Sequence, residues 1–377
     1  MSELATLNKS LSFLAAFAVV GALLAMAFLL VENQGKLQEG ALKVRKRATA
    51  FAGAWLVANV LHIFLTLANI LGTSFADALE RNTLRSFLTQ VDLGQYLGVQ
   101  AVMIAVIALA IRFVRTVLAA TILLLFSLIT LTIPVFQSHS ASSGSHQLAI
   151  GSLVVHVVAL SLWVGGIFAI VALPGSDRKF ALPRFSQMAL WTAIAVVISG
   201  ITNAWARLNF MDAWSSGYAR IVLLKAALTF ILLFLGYRNR RGLAQGSSTG
   251  IKLLGRFVVV EAFIMTTLLF LGSWLAQSEP PARGDLSISP ALSIVGVATP
   301  AEPTLARLLL LYQPDALIMG ILIVLVALYI KGVVVLTKRG DKWPVGRTIS
   351  FALAISAIDF ATSGGLGVYA LFSFEYH

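Results

Sequence analysis

An all-α, polytopic bundle of about ten transmembrane helices is the fold class this chain predicts, and three observations predict it. Of its 377 residues, 58% are hydrophobic and only 12% are charged, a balance foreign to soluble domains. Apolar runs long enough to cross roughly 30 Å of hydrocarbon at about 1.5 Å per residue recur along its length. Lysine and arginine gather in alternate connections between those runs, the asymmetry of a membrane protein with a fixed orientation.

In order, the runs fall at 11–31, 48–72, 95–112, 116–136, 147–173, 185–206, 219–237, 252–277, 315–337 and 348–373. The first reads as a retained helix. Ala25-Met26-Ala27 resembles a small-x-small cleavage site, but the apolar run continues through Phe28 to Val31, only Lys9 precedes it, and the basic cluster follows it. With Lys225 set inside segment 7, the connections after segments 1, 3, 5, 7 and 9 hold 20 Lys and Arg and the opposite ones hold 7. That count predicts a membrane protein with both termini, and the loop before segment 5, on the outer face. The net charge of +12 has its source in those loops, and no nucleic-acid motif accompanies it.

Two outer connections are long. Residues 73–94 carry apolar side chains at helical spacing and predict a helix lying along the interface. Residues 278–314 open on Ser278-Glu279-Pro280-Pro281 and continue through Ala298-Thr-Pro-Ala-Glu-Pro303, the composition of a linker. The predicted organisation is an eight-helix membrane domain over 1–277, an extracytoplasmic linker over 278–314, and two further helices over 315–377.

The chain has no cysteine, so soft-metal chemistry falls to histidine and methionine. Three of its five histidines, His139, His146 and His156, lie within eighteen residues. Their spacing is too long for one helical face, but a polar loop from His139 to His146 folded over its own helix brings two or all three rings together. Two readings stand side by side: a metal site, and a solvated Ser/Gly/His connector beside a packed helix histidine. Trp163 lies seven residues beyond His156, two turns on and on about the same face.

Within the membrane, ionisable groups are functional candidates because hydrocarbon does not tolerate them unpaired. His62 and His156 both count to about 14–15 Å from the outer ends of their segments, a matched depth that permits contact. Glu261 and Asp359 lie near mid-membrane, and Lys225 is long enough to snorkel. Met103 and Met265 are candidate Cu(I) ligands beside an ordinary packing role. Asn59, Gln100, Thr202 and Asn203 suit interhelical hydrogen bonds, and Gly165-Gly166 suits close helix approach. There is no nucleotide loop, phosphorylation sequence, Ser/His/Asp arrangement or catalytic carboxylate pair, so the chain is not expected to be an enzyme.

Taken in order, several stretches closely resemble the copper-resistance D family of bacterial inner-membrane proteins over residues 11–281. They are His139-Ser, His146, His156-Val-Val-Ala-Leu-Ser-Leu-Trp-Val-Gly-Gly166, Arg184-Phe-Ser, Ser199-Gly-Ile-Thr-Asn-Ala-Trp205, Tyr218 to Lys225, Arg238-Asn-Arg-Arg241, Glu261 and Glu279-Pro-Pro281. Tyr312-Gln-Pro-Asp315, Lys338 to Pro344 and Tyr369-Ala-Leu-Phe-Ser373 resemble the opening of the caa3-type cytochrome oxidase assembly factors, an arrangement similar to actinobacterial fusion proteins. That second family continues through further helices beyond the point at which this chain stops, which leads us to expect a truncated fragment.

The resemblance implies copper handling at the outer face, by uptake or by supply to copper enzymes. The implied metal ligands are His139, His146 and His156; our own reading of the intramembrane residues adds His62, Glu261, Trp163 and Met265 as candidates for a transport path. The implied partners are copper ion, membrane lipid, an extracytoplasmic copper chaperone and cytochrome oxidase subunits. Two alternatives are weighed against this: a b-type haem electron-transfer protein ligated by His62 and His156, and a scaffold for oxidase assembly that moves no metal.

Overall fold

The computed structural model describes residues 2–75, 77–137, 146–208, 216–244, 248–276 and 278. His139, the linker over 278–314 apart from Ser278, Asp359 and the segments expected at 315–337 and 348–373 lie outside the described residues. One compact unit comprises 1–144 and 153–281, and a second comprises 145–152 and 282–377, of which only residues 146–152 are described.

The architecture is an all-α polytopic helical bundle. The described residues form nine helices: α1 (Ser2–Leu24), α2 (Glu39–Leu71), α3 (Arg81–Gln90), α4 (Asp92–Ala110), α5 (Val117–Thr132), α6 (His146–Ala172), α7 (Gly175–Arg207), α8 (Gly217–Ala244) and α9 (Ser248–Leu275). Seven spans among them are long and apolar enough to cross a membrane, and α9 contributes a shorter apolar stretch, Phe263–Leu275. The short α3 occupies the connection expected to carry an interfacial helix. It buries Phe87 against Ile63, Leu67 and Leu97 of the neighbouring helices.

Helix ends depart from the apolar runs where polar residues extend a helix beyond hydrocarbon. The helix predicted from residue 11 begins at Ser2, and the one predicted from 48 begins at Glu39. Hydropathy marks only the part of a helix that lipid must cover, whereas Glu, Ala, Leu, Lys and Arg prolong it into the interface. The basic cluster Lys43 to Arg47, expected in a loop, is therefore helical. So are Arg178, Lys179 and Arg184, within α7.

That basic end is organised by arginines donating to carbonyls. Arg45 reaches Val114 O at 2.9 Å, Arg47 reaches Ala172 O at 2.7 Å, and Arg178 bonds Ile170, Val171 and Leu173 O at 2.8–3.1 Å. Arg184 lies 3.4 Å from Phe28 O. The last carbonyls of a helix have no partner within it and carry the negative end of its dipole, so a guanidinium both satisfies and neutralises them. A two-residue hairpin, β1 (Glu32–Asn33) with β2 (Lys36–Leu37), joins α1 to α2 at this end. Its central residues Gln34 and Gly35 take φ of 50° and 77°, as a tight turn matched to strand twist requires.

Two features hold the spans together. Gly21 of α1 and Gly165 of α6 meet backbone to backbone, and a methyl on either would overlap the other's main chain. Across α2, α4 and α5, Asn59 Nδ2 donates to Gln100 Oε1 at 2.7 Å, and Gln100 Nε2 donates to Thr130 O at 3.0 Å. Asn59 is 2% exposed and Gln100 5%. The carbonyl of Thr130 only accepts, so it orients the Gln100 amide, and Gln100 in turn orients Asn59.

Candidate metal site

Of the three histidines nominated as ligands, His156 is the one whose side chain is described. It lies on α6, where a continuous run of apolar and small residues leaves nothing to break the helix. Its Nδ1 lies 3.1 Å from the carbonyl oxygen of Val196 and 3.1 Å from Ser199 Oγ, both on α7. A carbonyl has no hydrogen to give, so Nδ1 carries the proton and donates it. Ser199 Oγ donates its own hydrogen to Ala195 O at 2.5 Å, which leaves its oxygen free to accept from the ring as well. In the neutral imidazole Nε2 is then the unprotonated nitrogen, the one able to bind a metal. A backbone carbonyl that holds the far nitrogen of a ligand histidine is the usual means of fixing its tautomer and orientation.

Gly200 completes the cradle. A Cβ at that position would stand 3.4 Å from Cε1 of the ring, so glycine lets α7 lie close along the imidazole edge. Lys225 of α8 is within electrostatic reach of His156, and its Nζ comes within 3.5 Å of where a Cβ on Gly272 of α9 would be. Groups from α6, α7, α8 and α9 thus meet at one level of the bundle.

The remaining nominated residues are distributed as follows. His146 is the first residue of α6 and not the end of a loop. Trp163 and Met265 are buried, 8% and 3% exposed, in the main apolar core. Glu261 is buried on α9, one turn before Met265. Among the described residues, no three His, Cys, Asp or Glu side chains converge as a metal cluster.

Asn8 of α1 donates to Ala58 O of α2 at 2.9 Å, and α2 runs back along α1. His62, further along α2, has its own surroundings: Lys9 of α1 is in electrostatic reach, and Nδ1 is buried without a hydrogen-bond partner.

Sequence reasoning placed Ser199-Gly200 in a stretch that carries the family resemblance but did not join it to His156, and it did not pick out Val196. Val196 acts through its main chain, which no residue type signals. Ser199-Gly200 is a small polar pair in mid-span, the one local sign that α7 approaches something closely there.

Family comparisons agree with the resemblance drawn from the sequence. Residues 1–148 match the copper resistance protein D-like N-terminal domain, residues 180–275 match copper resistance protein D, and residues 327–377 match the cytochrome c oxidase caa3 assembly factor. The chain is 24% identical over 355 residues to an uncharacterized protein of Mycobacterium bovis, Mb0105, covering 92% of this chain and 51% of the relative. It is 25% identical over 259 residues to the copper transport protein CutJ of Bacillus subtilis, covering 62% of this chain and 48% of that protein. The chain therefore spans about half the length of the curated relatives it matches. No solved structure matches it.

Proposed function

We propose, from the premise that this chain is a copper-related membrane protein of the copper resistance protein D type running into the start of a caa3-type oxidase assembly factor, that it passes copper into or through the bilayer by way of His156. The extracytoplasmic residues His139 and His146 capture the ion first. His156 receives it inside the membrane through Nε2, and Glu261 and Met265 lie deeper on α9 along the onward path. The ion then enters the cytoplasm or is supplied to copper enzymes, with cytochrome oxidase subunits and an extracytoplasmic chaperone as the partners that suit this role.

One observation carries the reading: the Val196 carbonyl and the Ser199 hydroxyl take the Nδ1 proton, which leaves the metal-binding nitrogen bare. Imidazole suits copper, and an Nδ1–H so satisfied is how a ligand histidine keeps its other nitrogen available for a metal. With neither a nucleotide loop nor a phosphorylation sequence in the chain, the movement follows a gradient or a hand-over to a partner.

The test is copper stoichiometry on purified full chain against a variant with His139, His146 and His156 all changed to alanine. The variant is expected to retain markedly less copper. Unchanged stoichiometry disposes of the site. The visible spectrum of the same sample separates this reading from haem ligation, which would give a Soret band.

A further inference from the structure

A cavity of about 370 Å³ opens between α1, α2 and α6. Leu14, Ala18 and Ala22 of α1, Phe51 of α2 and Phe168 of α6 wall it, and Arg47 is the charged residue of its lining. From Leu14 to Ala22 the wall runs about 12 Å, most of the roughly 15 Å hydrocarbon depth of one leaflet. A slot of that length with a cation at its basic end has the form of a phospholipid: an apolar tail with a phosphate at the interface.

The basic end is built for a phosphate. Arg47 Nη1 donates to Ala172 O at 2.7 Å, which anchors the guanidinium at the end of α6. That bond uses one of five N–H donors, and Arg47 is otherwise exposed. Lys46 stands beside it, exposed, on the same turn of α2. Lys43 is paired with Glu39 at 2.8 Å, and Asp177 lies two turns away against Gly40, so neither cancels the charge at Arg47. Arginine binds phosphate in a forked geometry, and a second cation nearby favours a headgroup with net negative charge.

We propose that this slot binds one anionic phospholipid, its acyl chain lying along α1 and its phosphate on Arg47. The lipid fills a gap between three spans that packing leaves open, and ties the C-terminus of α6 to α2 at the membrane surface.

Native mass spectrometry of the full chain tests this, with protein stripped of lipid in detergent and then offered phosphatidylglycerol or phosphatidylcholine in micelles. One retained phosphatidylglycerol is expected, with phosphatidylcholine bound more weakly. Arg47→Gln is expected to weaken phosphatidylglycerol about fivefold, the contribution of one cation near an anionic headgroup. Ala18→Phe is expected to displace the lipid by filling the slot while leaving Arg47 in place. Helicity and elution volume confirm that each variant folds, and Ala15→Leu, which narrows the same slot, serves if Ala18→Phe does not. Equal binding of the two lipids, or undiminished retention in both an Arg47 and a slot variant, overturns the proposal. The latter result is also what a further helix of this chain seated in the slot would give.

Discussion

In the N-terminal part of the bundle, Asn59 gives its Nδ2 hydrogen to Gln100, and Gln100 gives its own to the Thr130 carbonyl. In the C-terminal part, His156 gives its Nδ1 hydrogen to Val196 and Ser199. Both arrangements bury polar groups among spans, and both end on a backbone carbonyl that fixes which atom donates. They differ in what is left over. The amide chain ties three helices together through groups that point at one another. The imidazole is held by one edge to a single neighbouring helix, and its other nitrogen is left as a base. A polar group inside a membrane is thus read for function by what its partners leave unsatisfied, more than by its presence. By that measure the orphaned Asn59 Oδ1 and His62 Nδ1 mark the edge of the amide chain as its least settled part.

The most severe way to disturb the comparison is to separate the two regions. Gly21 and Gly165 touch main chain to main chain, so no rotamer change can relieve a side chain placed there. Gly165→Leu is expected to cost more than about 3 kcal/mol, the upper part of the overpacking range, and to abolish monodisperse protein in detergent. Thermal unfolding and gel filtration check this. A variant that elutes and melts like the parent would show that α1 and α6 are not closely joined there.

Next in size is the removal of the imidazole. His156→Ala is expected to lower copper affinity by more than about 100-fold, beyond the 10–100-fold that loss of a merely supporting residue causes, with the melting temperature little changed. A chelator competition titration reads the affinity, and a loss within about 100-fold would demote His156 to a supporting role. Asn59→Leu should do the reverse. It strands Gln100 Oε1 without its donor, which is expected to cost about 1–3 kcal/mol of stability, while copper stoichiometry stays at the parent value. The double variant with Gln100→Leu should cost less than the sum of the two singles, because replacing both partners leaves fewer stranded groups. If Asn59→Leu removed copper, the division between a tying region and a binding region would fail.

How much of this was legible follows the physics of each signal. Spans were legible because hydrocarbon imposes a length, and α6 came out within a residue at each end. The helical extensions at Ser2, Glu39 and Gly175 were not, because nothing forbids helix in the interface and nothing apolar marks it. Close approach at Gly165-Gly166 was readable from side-chain size, whereas its partner Gly21 was not, since a small residue in one helix does not name the helix it meets. The same limit hid the cradle of His156. Ser199 is 43 positions away, and its role depends on a neighbouring carbonyl that has no signature in residue type.

Ser199→Ala carries the smallest expected effect and bears most directly on the tautomer. If the Val196 carbonyl alone decides which nitrogen is protonated, loss of the Ser199 hydroxyl removes one of two acceptors and leaves the decision intact. An interhelical bond of this kind in a membrane averages about 0.6 kcal/mol, so copper affinity should fall only about threefold. Nitrogen-15 chemical shifts of the ring should still report a proton on Nδ1. Loss of binding comparable to His156→Ala would mean that Ser199 touches the ion, or that the tautomer was never set by Val196. Shifts that report a proton on Nε2 would remove the lone pair on which the copper relay depends, and would place His156 with Asn59 among the groups that tie helices together.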